Sequence, residues 1–171
     1  PVLGNIIDMT ADDLASAMKG CDTAVFSAGA AGSGRDKTTA IDGEGPEKLI
    51  KAARAAGVNR IYLVSVIMDA GRDRDTSDDF EHYMAMKRRA DAALAQSGID
   101  YVILRPGTLN DDDGDGKVTA GRAISYGDVA RGNVAATLAE LIGVSEITNE
   151  IIELTNGDTP VSDAVASLKR G

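Results

Sequence analysis

Residues 60–66 read Arg-Ile-Tyr-Leu-Val-Ser-Val, and they carry the strongest indication of the fold class. Its centre is a continuous aliphatic and aromatic run without polar alternation, which is typical of a parallel strand buried on both faces. Residues 45–56 before it and 80–96 after it have helical periodicity, and Gly57 stands where the first helix should end. A strand between two helices predicts an α/β domain whose parallel sheet is covered by helices.

The same pattern continues on both sides of this stretch. Short apolar runs predict the end of a strand at residues 2–7 and further strands at 23–27, 101–104 and 151–154, with a short extended stretch near 123–124. Helices are predicted at residues 10–18, at 127–142 and after Pro160, the first of them opened by a capping box of Thr10 and Asp13. We expect one domain over residues 1–171.

Composition narrows the classes of protein. The chain has 171 residues with 43% apolar side chains, enough for a buried core without disulfides or a structural metal. Its single cysteine, Cys21, excludes an intramolecular disulfide framework and suits a reducing cytoplasm. The net charge of -9 argues against nucleic acid or an anionic membrane as partner. With no membrane-length apolar run and no signal-peptide pattern at its start, we expect a cytoplasmic protein.

Polar side chains suited to catalysis follow the central strand. Ser65 stands at its carboxyl end, and Tyr83 and Lys87 lie four residues apart on one face of the next helix. A phenol has a pKa near 10, and a neighbouring ammonium lowers that pKa toward values useful for proton exchange at neutral pH. Tyr-x-x-x-Lys pairs also occur on amphipathic helices without catalytic roles, so the spacing alone leaves both interpretations open.

The order of these motifs resembles the short-chain dehydrogenase/reductase superfamily, in its atypical NAD(P)-binding branch of epimerase-like and NmrA-like proteins. The similarity runs from about Gly4 to Pro160. Its motifs are GNIID (4–8), CDTAVFSAGA (21–30), the segment 38–66, YMAMK (83–87), DYVILRPGTL (100–109) and ISYGDVARGNVAATLAELI (124–142). The resemblance implies a Rossmann-like, doubly wound parallel sheet and NADP or NAD as cofactor, with a slight preference for NADP.

The resemblance also implies catalytic roles. It places Ser65, Tyr83 and Lys87 at the catalytic Ser, Tyr and Lys positions, and Asp42 where many members carry Asn. A carboxylate at position 42 accepts hydrogen bonds but does not donate them unless it is protonated. In the implied mechanism Tyr83 exchanges a proton with a carbonyl or alcohol oxygen while hydride moves to or from the nicotinamide. Ser65 holds that oxygen, and Lys87 binds the nicotinamide ribose and lowers the pKa of Tyr83.

Three further segments are implied to contact the cofactor. Asn5 replaces the Asp that usually contacts the adenine, and Arg105 belongs to a turn that more often supports substrate or structure than proton transfer. The implied cofactor-binding residues are Asn5 and Ile6 at the adenine, Ser27, Ala28, Gly29 and Ala30 beside its ribose, Lys87 at the nicotinamide ribose, and Arg105, Pro106 and Gly107 beside the nicotinamide.

The glycine fingerprint of this superfamily, G-x-x-G-x-x-G at the start of a helix, is not found in the sequence. Residues 29–34 read Gly-Ala-Ala-Gly-Ser-Gly, but their spacing is G-x-x-G-x-G, and we expect residues 35–39 to separate them from the next helix. They are therefore expected to form a loop lining the cleft rather than a phosphate cradle. Counting back from GNIID, we expect the first β-α unit to be missing and the domain to be N-terminally incomplete.

Weaker patterns lead to less specific expectations. Residues 111–116 match the first half of a calcium loop, but Arg122 stands where a bidentate Glu is required, so no metal is expected. His82 is expected on the helix surface or at the rim of the cleft, and Cys21 is expected to be half-buried.

Three functions remain open from the sequence. The leading hypothesis is an NAD(P)-dependent reductase or epimerase/dehydratase-like enzyme acting on a small carbonyl or alcohol. The first alternative is a non-catalytic, NmrA-like protein that senses a dinucleotide, and the second is a scaffold that binds none. The resemblance also implies a homo-oligomer as one option, because the helix at 80–96 and the helix before it commonly form dimer faces in this superfamily.

Overall fold

The computed structural model describes residues 2–71 and 75–169, in which helices and strands alternate along the chain. In order they are α1 (Ala11–Ala17), β1 (Thr23–Phe26), α2 (Arg35–Thr38), α3 (Glu44–Ala56), β2 (Arg60–Val64), α4 (Asp78–Ala95), β3 (Asp100–Pro106), β4 (Thr108–Asn110), β5 (Lys117–Gly121), β6 (Asp128–Ala130), α5 (Arg131–Gly143), β7 (Glu150–Asn156), β8 (Thr159–Pro160) and α6 (Val161–Ala166). A π-helical segment, Thr39–Gly43, joins α2 to α3. The chain forms two compact units, Pro1–Leu63 with Gly71–Tyr101, and Val64–Ala70 with Val102–Gly171.

The first unit is built on β1 and β2. These strands are parallel, with Thr23 opposite Arg60 and Phe26 opposite Leu63. Ile61, Tyr62 and Leu63 are at most 2% exposed, as predicted for a continuous apolar strand. Helix α3 packs against both α1 and α4 in the same unit.

Local signals set the ends of the helices in this unit. The Thr10 hydroxyl accepts the Asp13 amide and the Asp13 carboxylate accepts the Thr10 amide, so the predicted capping box is present. Gly57 ends α3 with φ of 76°, a left-handed conformation that glycine adopts without Cβ strain. The Ser77 hydroxyl accepts the Phe80 amide at the start of α4, two residues before the predicted start.

The second unit combines parallel and antiparallel strands. β3 is parallel to β7, with Val102 opposite Glu150 and Pro106 opposite Leu154. β5 is antiparallel to both β7 and β8, and β4 pairs with β6 in a short parallel ribbon. Helix α6 packs against α5. Both units are therefore α/β structures with parallel strands and flanking helices, which confirms the predicted class.

Several sequence predictions are wrong in detail. Residues 2–7 form no strand, because the Asn5 side-chain oxygen accepts the Ile7 amide and its carbonyl accepts the Asp8 amide, which together close a turn. The extended stretch expected near 123–124 lies earlier, in β5. Only Val118 of that strand is fully buried, and its sequence, Lys-Val-Thr-Ala-Gly, contains no long apolar run from which a strand could be predicted. Cys21 is exposed rather than half-buried.

The helical run before β2 is longer than predicted. It begins at Arg35, directly after Gly34, so residues 35–39 do not separate the glycine-rich loop from the helix. Asp36, Thr38 and Thr39 have low helix propensity, and tertiary packing outweighs it. Gly43 packs closely on α4, since an added Cβ would lie 2.8 Å from the Met86 sulfur. The acidic connection predicted after β2 includes residues 72–74, which lie outside the described residues.

Within residues 2–71 and 75–169, no helix is both long enough and apolar enough to cross a bilayer.

Candidate functional site

A buried ion pair lies at the centre of the candidate site in the first unit. Asp42, in the π-helical segment, is 1% exposed, and Lys87, in α4, is 5% exposed. The Lys87 Nζ lies 3.1 Å from the Asp42 Oδ1. Removing two charges from water is costly unless they compensate each other, so this pairing accounts for the burial of both side chains.

The second oxygen of the same carboxylate contacts the loop after β1. Asp42 Oδ2 accepts the Ala30 amide at 3.0 Å. Oδ1 is within ion-pair distance of Lys87 but, among the described residues, has no aligned hydrogen bond. The Asp42 carboxylate therefore lies between a loop amide and a lysine of a distant helix.

Tyr83 lies one turn before Lys87 on the same face of α4. The Lys87 Nζ is 5.6 Å from the centroid of the Tyr83 ring, and the Phe80 ring centroid is 6.2 Å from it. Tyr83 is half-buried. The structure thus brings Asp42, Tyr83 and Lys87 together within one unit.

Two contacts that the sequence did not indicate join the start of α4 to the helical run before α3. Thr39 Oγ1 and His82 Nε2 are 2.9 Å apart, and Arg35 Nε lies 2.6 Å from Asp79 Oδ1. The Asp79 carboxylate raises the pKa of the Arg35 guanidinium. His82 is half-buried and bonded to Thr39, which gives it a structural contact next to Tyr83.

Asn5 and Ile6, the residues expected at the adenine, lie in the turn before α1. The Asn5 carboxamide donates to Asp8 Oδ2 at 2.8 Å and accepts the Ile7 amide at 3.1 Å. The carbonyl of half-buried Ile6 accepts the Lys48 ammonium at 2.7 Å. The side chain of Asn5 is exposed and its polar atoms are engaged locally.

Two amides of the glycine-rich loop are hydrogen-bonded within the chain. Ser27, Ala28 and Gly29 are exposed, whereas Ala30 is buried and donates its amide to Asp42. The Ser33 amide donates back to the Ala30 carbonyl at 3.0 Å. These two amides are therefore already engaged, whereas in a phosphate cradle the backbone N–H groups point at the ligand.

Ser65 belongs to the second unit. It is 4% exposed, and its amide donates to the Leu104 carbonyl at 2.7 Å. Among the described residues its Oγ has no hydrogen-bond partner. Buried hydroxyls are nearly always hydrogen-bonded in folded proteins, so this atom is suited to bind a polar group of a ligand.

Arg105, Pro106 and Gly107 stand at the end of β3 in the same unit. Arg105 is half-buried, and Pro106 and Gly107 are buried. The Gly107 amide donates to the Leu154 carbonyl at 2.9 Å, and a Cβ at this position would overlap the Gly127 carbonyl oxygen. Only glycine fits this close approach of two backbone segments.

A buried asparagine that the sequence did not single out holds the acidic loop at 111–116. The Asn133 amide nitrogen lies 3.0 to 3.2 Å from three acceptors that share its two hydrogens, Asp115 Oδ1, the Lys117 carbonyl and Asn156 Oδ1, and its oxygen accepts the Gly116 amide. These bonds anchor the loop to α5 and β7. Arg122, at the twelfth position of the calcium-like pattern, instead pairs with Glu150 through two 3.0 Å bonds.

Alternating helices and strands, with β1 parallel to β2 and β3 parallel to β7, are the architecture of Rossmann-like proteins. The chain belongs to the NAD(P)H-binding family, whose model matches residues 3–143. It is 36% identical over 168 residues to the uncharacterized sugar epimerase YhfK of Bacillus subtilis, covering 98% of this chain and 78% of that protein.

Solved structures agree with this assignment. A Bacillus halodurans protein, provisionally described as an NAD-dependent epimerase/dehydratase, is 34% identical with a TM-score of 0.86, covering 97% of this chain and 77% of that one. The oxidoreductase ylbE from Lactococcus lactis is 27% identical with a TM-score of 0.86, covering 98% of this chain and 76% of that one. The resemblance and the Rossmann-like fold are confirmed, and the family binds a nicotinamide dinucleotide without distinguishing NAD from NADP.

Proposed function

We propose that this protein is an NAD(P)-dependent reductase or epimerase/dehydratase-like enzyme acting on a small carbonyl or alcohol. The observation that carries the proposal is the Lys87 ammonium, which is buried, paired with Asp42 and 5.6 Å from the centroid of the Tyr83 ring. Tyr83 lies one turn before Lys87 on the same face of α4, the arrangement that the resemblance links to proton exchange. Tyr83 is therefore the side chain best suited to exchange a proton with the substrate.

Each proposed catalytic residue has a separate role. The dinucleotide supplies or accepts a hydride when it is bound. Tyr83 gives its proton to the oxygen of a carbonyl that is being reduced, or takes the proton from an alcohol that is being oxidised. The buried Ser65 hydroxyl, which has no hydrogen-bond partner among the described residues, holds the substrate oxygen. Lys87 hydrogen-bonds the nicotinamide ribose.

The proposed dinucleotide contacts follow from the resemblance. Ser27, Ala28 and Gly29 are exposed and accessible to the adenine ribose, and buried Ala30 follows them in the loop. The close backbone approach at Gly107 suits a turn beside the nicotinamide. NADP is the cofactor that we propose first, with NAD as the second choice. The full set is Asn5, Ile6, Ser27, Ala28, Gly29, Ala30, Lys87, Arg105, Pro106 and Gly107.

The exposed thiol of Cys21 suits a reducing compartment, which supports the proposed cytoplasmic location.

The test replaces the proton donor alone. Tyr83→Phe removes the phenol oxygen, so kcat for a panel of aldehydes and ketones should fall by about 10² to 10⁴ while the affinity for the dinucleotide is retained. The matched control is Tyr101→Phe, which removes a phenol from β3 and should leave turnover unchanged. Wild-type turnover by Tyr83→Phe would refute the role of Tyr83. Equal affinity for oxidised and reduced cofactor without turnover on any substrate would instead favour the dinucleotide-sensing alternative.

A further inference from the structure

We propose that Asp42 is a positioning residue that couples the loop after β1 to Lys87, rather than a member of a proton relay. The role of this coupling in catalysis rests on the proposed function. The observation behind it is that the two carboxylate oxygens of Asp42 contact two segments far apart in the chain, the Ala30 amide at 3.0 Å and the Lys87 Nζ at 3.1 Å.

The link between these segments is buried. Asp42 is 1% exposed and Ala30 is 6% exposed, so the contacts of the carboxylate are shielded from water. Its backbone lies in the π-helical segment, where Gly43 packs against Met86 of the helix that carries Lys87. A π-helical turn of this kind is frequent at functional sites. A displacement of Ala30 is therefore transmitted to the lysine through one side chain.

The donor and acceptor inventory explains why a carboxylate stands here. The Ala30 amide and the Lys87 ammonium are both donors, and an ionised Asp offers an acceptor oxygen to each. An Asn at position 42 has one oxygen, so its NH₂ group must face one of the two donors. A proton on the carboxyl group would occupy one of these oxygens in the same way. The Asp that replaces the Asn of many relatives thus fits a bridging role and not a relay.

This bridge joins the two ends of the proposed cofactor site. Ala30 closes the loop assigned to the adenine ribose, and Lys87 is assigned to the nicotinamide ribose and to Tyr83. Binding at the loop should therefore fix the position of Lys87, and loss of Lys87 should loosen the loop even when no cofactor is present.

Amide hydrogen exchange in the cofactor-free protein tests this coupling. Lys87→Gln should speed hydrogen exchange at the Ala30 amide roughly tenfold, measured relative to the amide of Ile50, a buried residue of α3. Because Lys87 has no direct bond to the Ala30 amide in this proposal, such an effect must pass through Asp42. Lys87→Arg keeps the positive charge and should restore protection. Lys51→Gln, which removes an exposed lysine of α3, is the matched control and should leave Ala30 unchanged.

A double variant separates the coupling from a general loss of stability in Lys87→Gln. In an Asp42→Asn background the bridge is already broken, so adding Lys87→Gln should produce no further change in the ratio of Ala30 to Ile50 exchange. Unchanged exchange at Ala30 in Lys87→Gln, or equal acceleration at Ala30 and Ile50, would overturn the coupling. Because no dinucleotide is present in this experiment, a negative result would not contradict the proposed function. A negative result in the Tyr83→Phe test would likewise not contradict the coupling.

Discussion

Asp42→Asn changes a charge while almost preserving the shape of the side chain. It removes the negative group that lies 3.1 Å from the Lys87 Nζ, in a site where both side chains are at most 7% exposed. The ammonium then remains buried without this counter-charge, which is the costly way to break an ion pair. The substitution should therefore destabilise the protein far more than the loss of a surface pair would.

The magnitude follows from the burial of the pair. Removing one partner of a buried pair costs about 3–5 kcal/mol. Since Lys87 makes further interactions, we expect the lower end, about 3 kcal/mol. At roughly 2–4 °C per kcal/mol for a chain of 171 residues, Tm should fall by roughly 6–12 °C. Glu47→Gln breaks the exposed pair with Arg89, whose side chains are 32% and 41% exposed, and should cost less than about 1 kcal/mol.

Urea titrations followed by circular dichroism would measure these differences in the free energy of unfolding. Wild type, Asp42→Asn, Lys87→Met and the double variant form a thermodynamic cycle. The double variant should lose less stability than the sum of the single variants, because it retains neither buried charge of the pair. Additivity within about 0.5 kcal/mol, or a loss below about 1 kcal/mol for Asp42→Asn, would refute the reasoning.

Two other substitutions test separate parts of the structure. Ser65→Ala removes a buried hydroxyl that has no hydrogen-bond partner among the described residues, so the free energy of unfolding should stay level or rise while kcat falls at least about tenfold. For Asp115, hydrogen bonds from the Lys117 amide and Asn133 hold the carboxyl pKa below its ordinary value of 3.8. This stabilisation is present above that value and is lost as pH falls through the folded pKa. When the urea concentration at the unfolding midpoint is plotted against pH, Asp115→Asn should therefore lose less stability at acidic pH than the wild type does.

The sequence predicts well those elements whose signals are local. The apolar run in β2, the helical period of α4 and the capping box at Thr10 each act within a few residues, and each was placed to within about two residues. Gly57 marks the end of α3 for the same reason, because its left-handed φ is a property of one residue.

The rest depends on contacts between distant residues. The apolar residues at 2–7 predict a strand, but the Asn5 side-chain oxygen accepts the Ile7 amide and a turn forms instead. The π-helical segment forms where Gly43 meets Met86, and the hydrogen bond from Ala30 to Asp42 spans twelve residues. The spacing of Tyr83 and Lys87 places them on one face, but their closeness to Asp42 comes only from the packing of two helical segments.

Calorimetric titration of NADPH, NADP, NADH and NAD into the protein tests whether this chain binds a nicotinamide dinucleotide. We predict saturable binding of at least one dinucleotide with one molecule per chain. Lys87→Gln, confirmed as folded by circular dichroism, should weaken this binding at least about tenfold, whereas Lys51→Gln should not. No measurable binding of any of the four dinucleotides to the folded protein would contradict the account and would favour a scaffold that binds none.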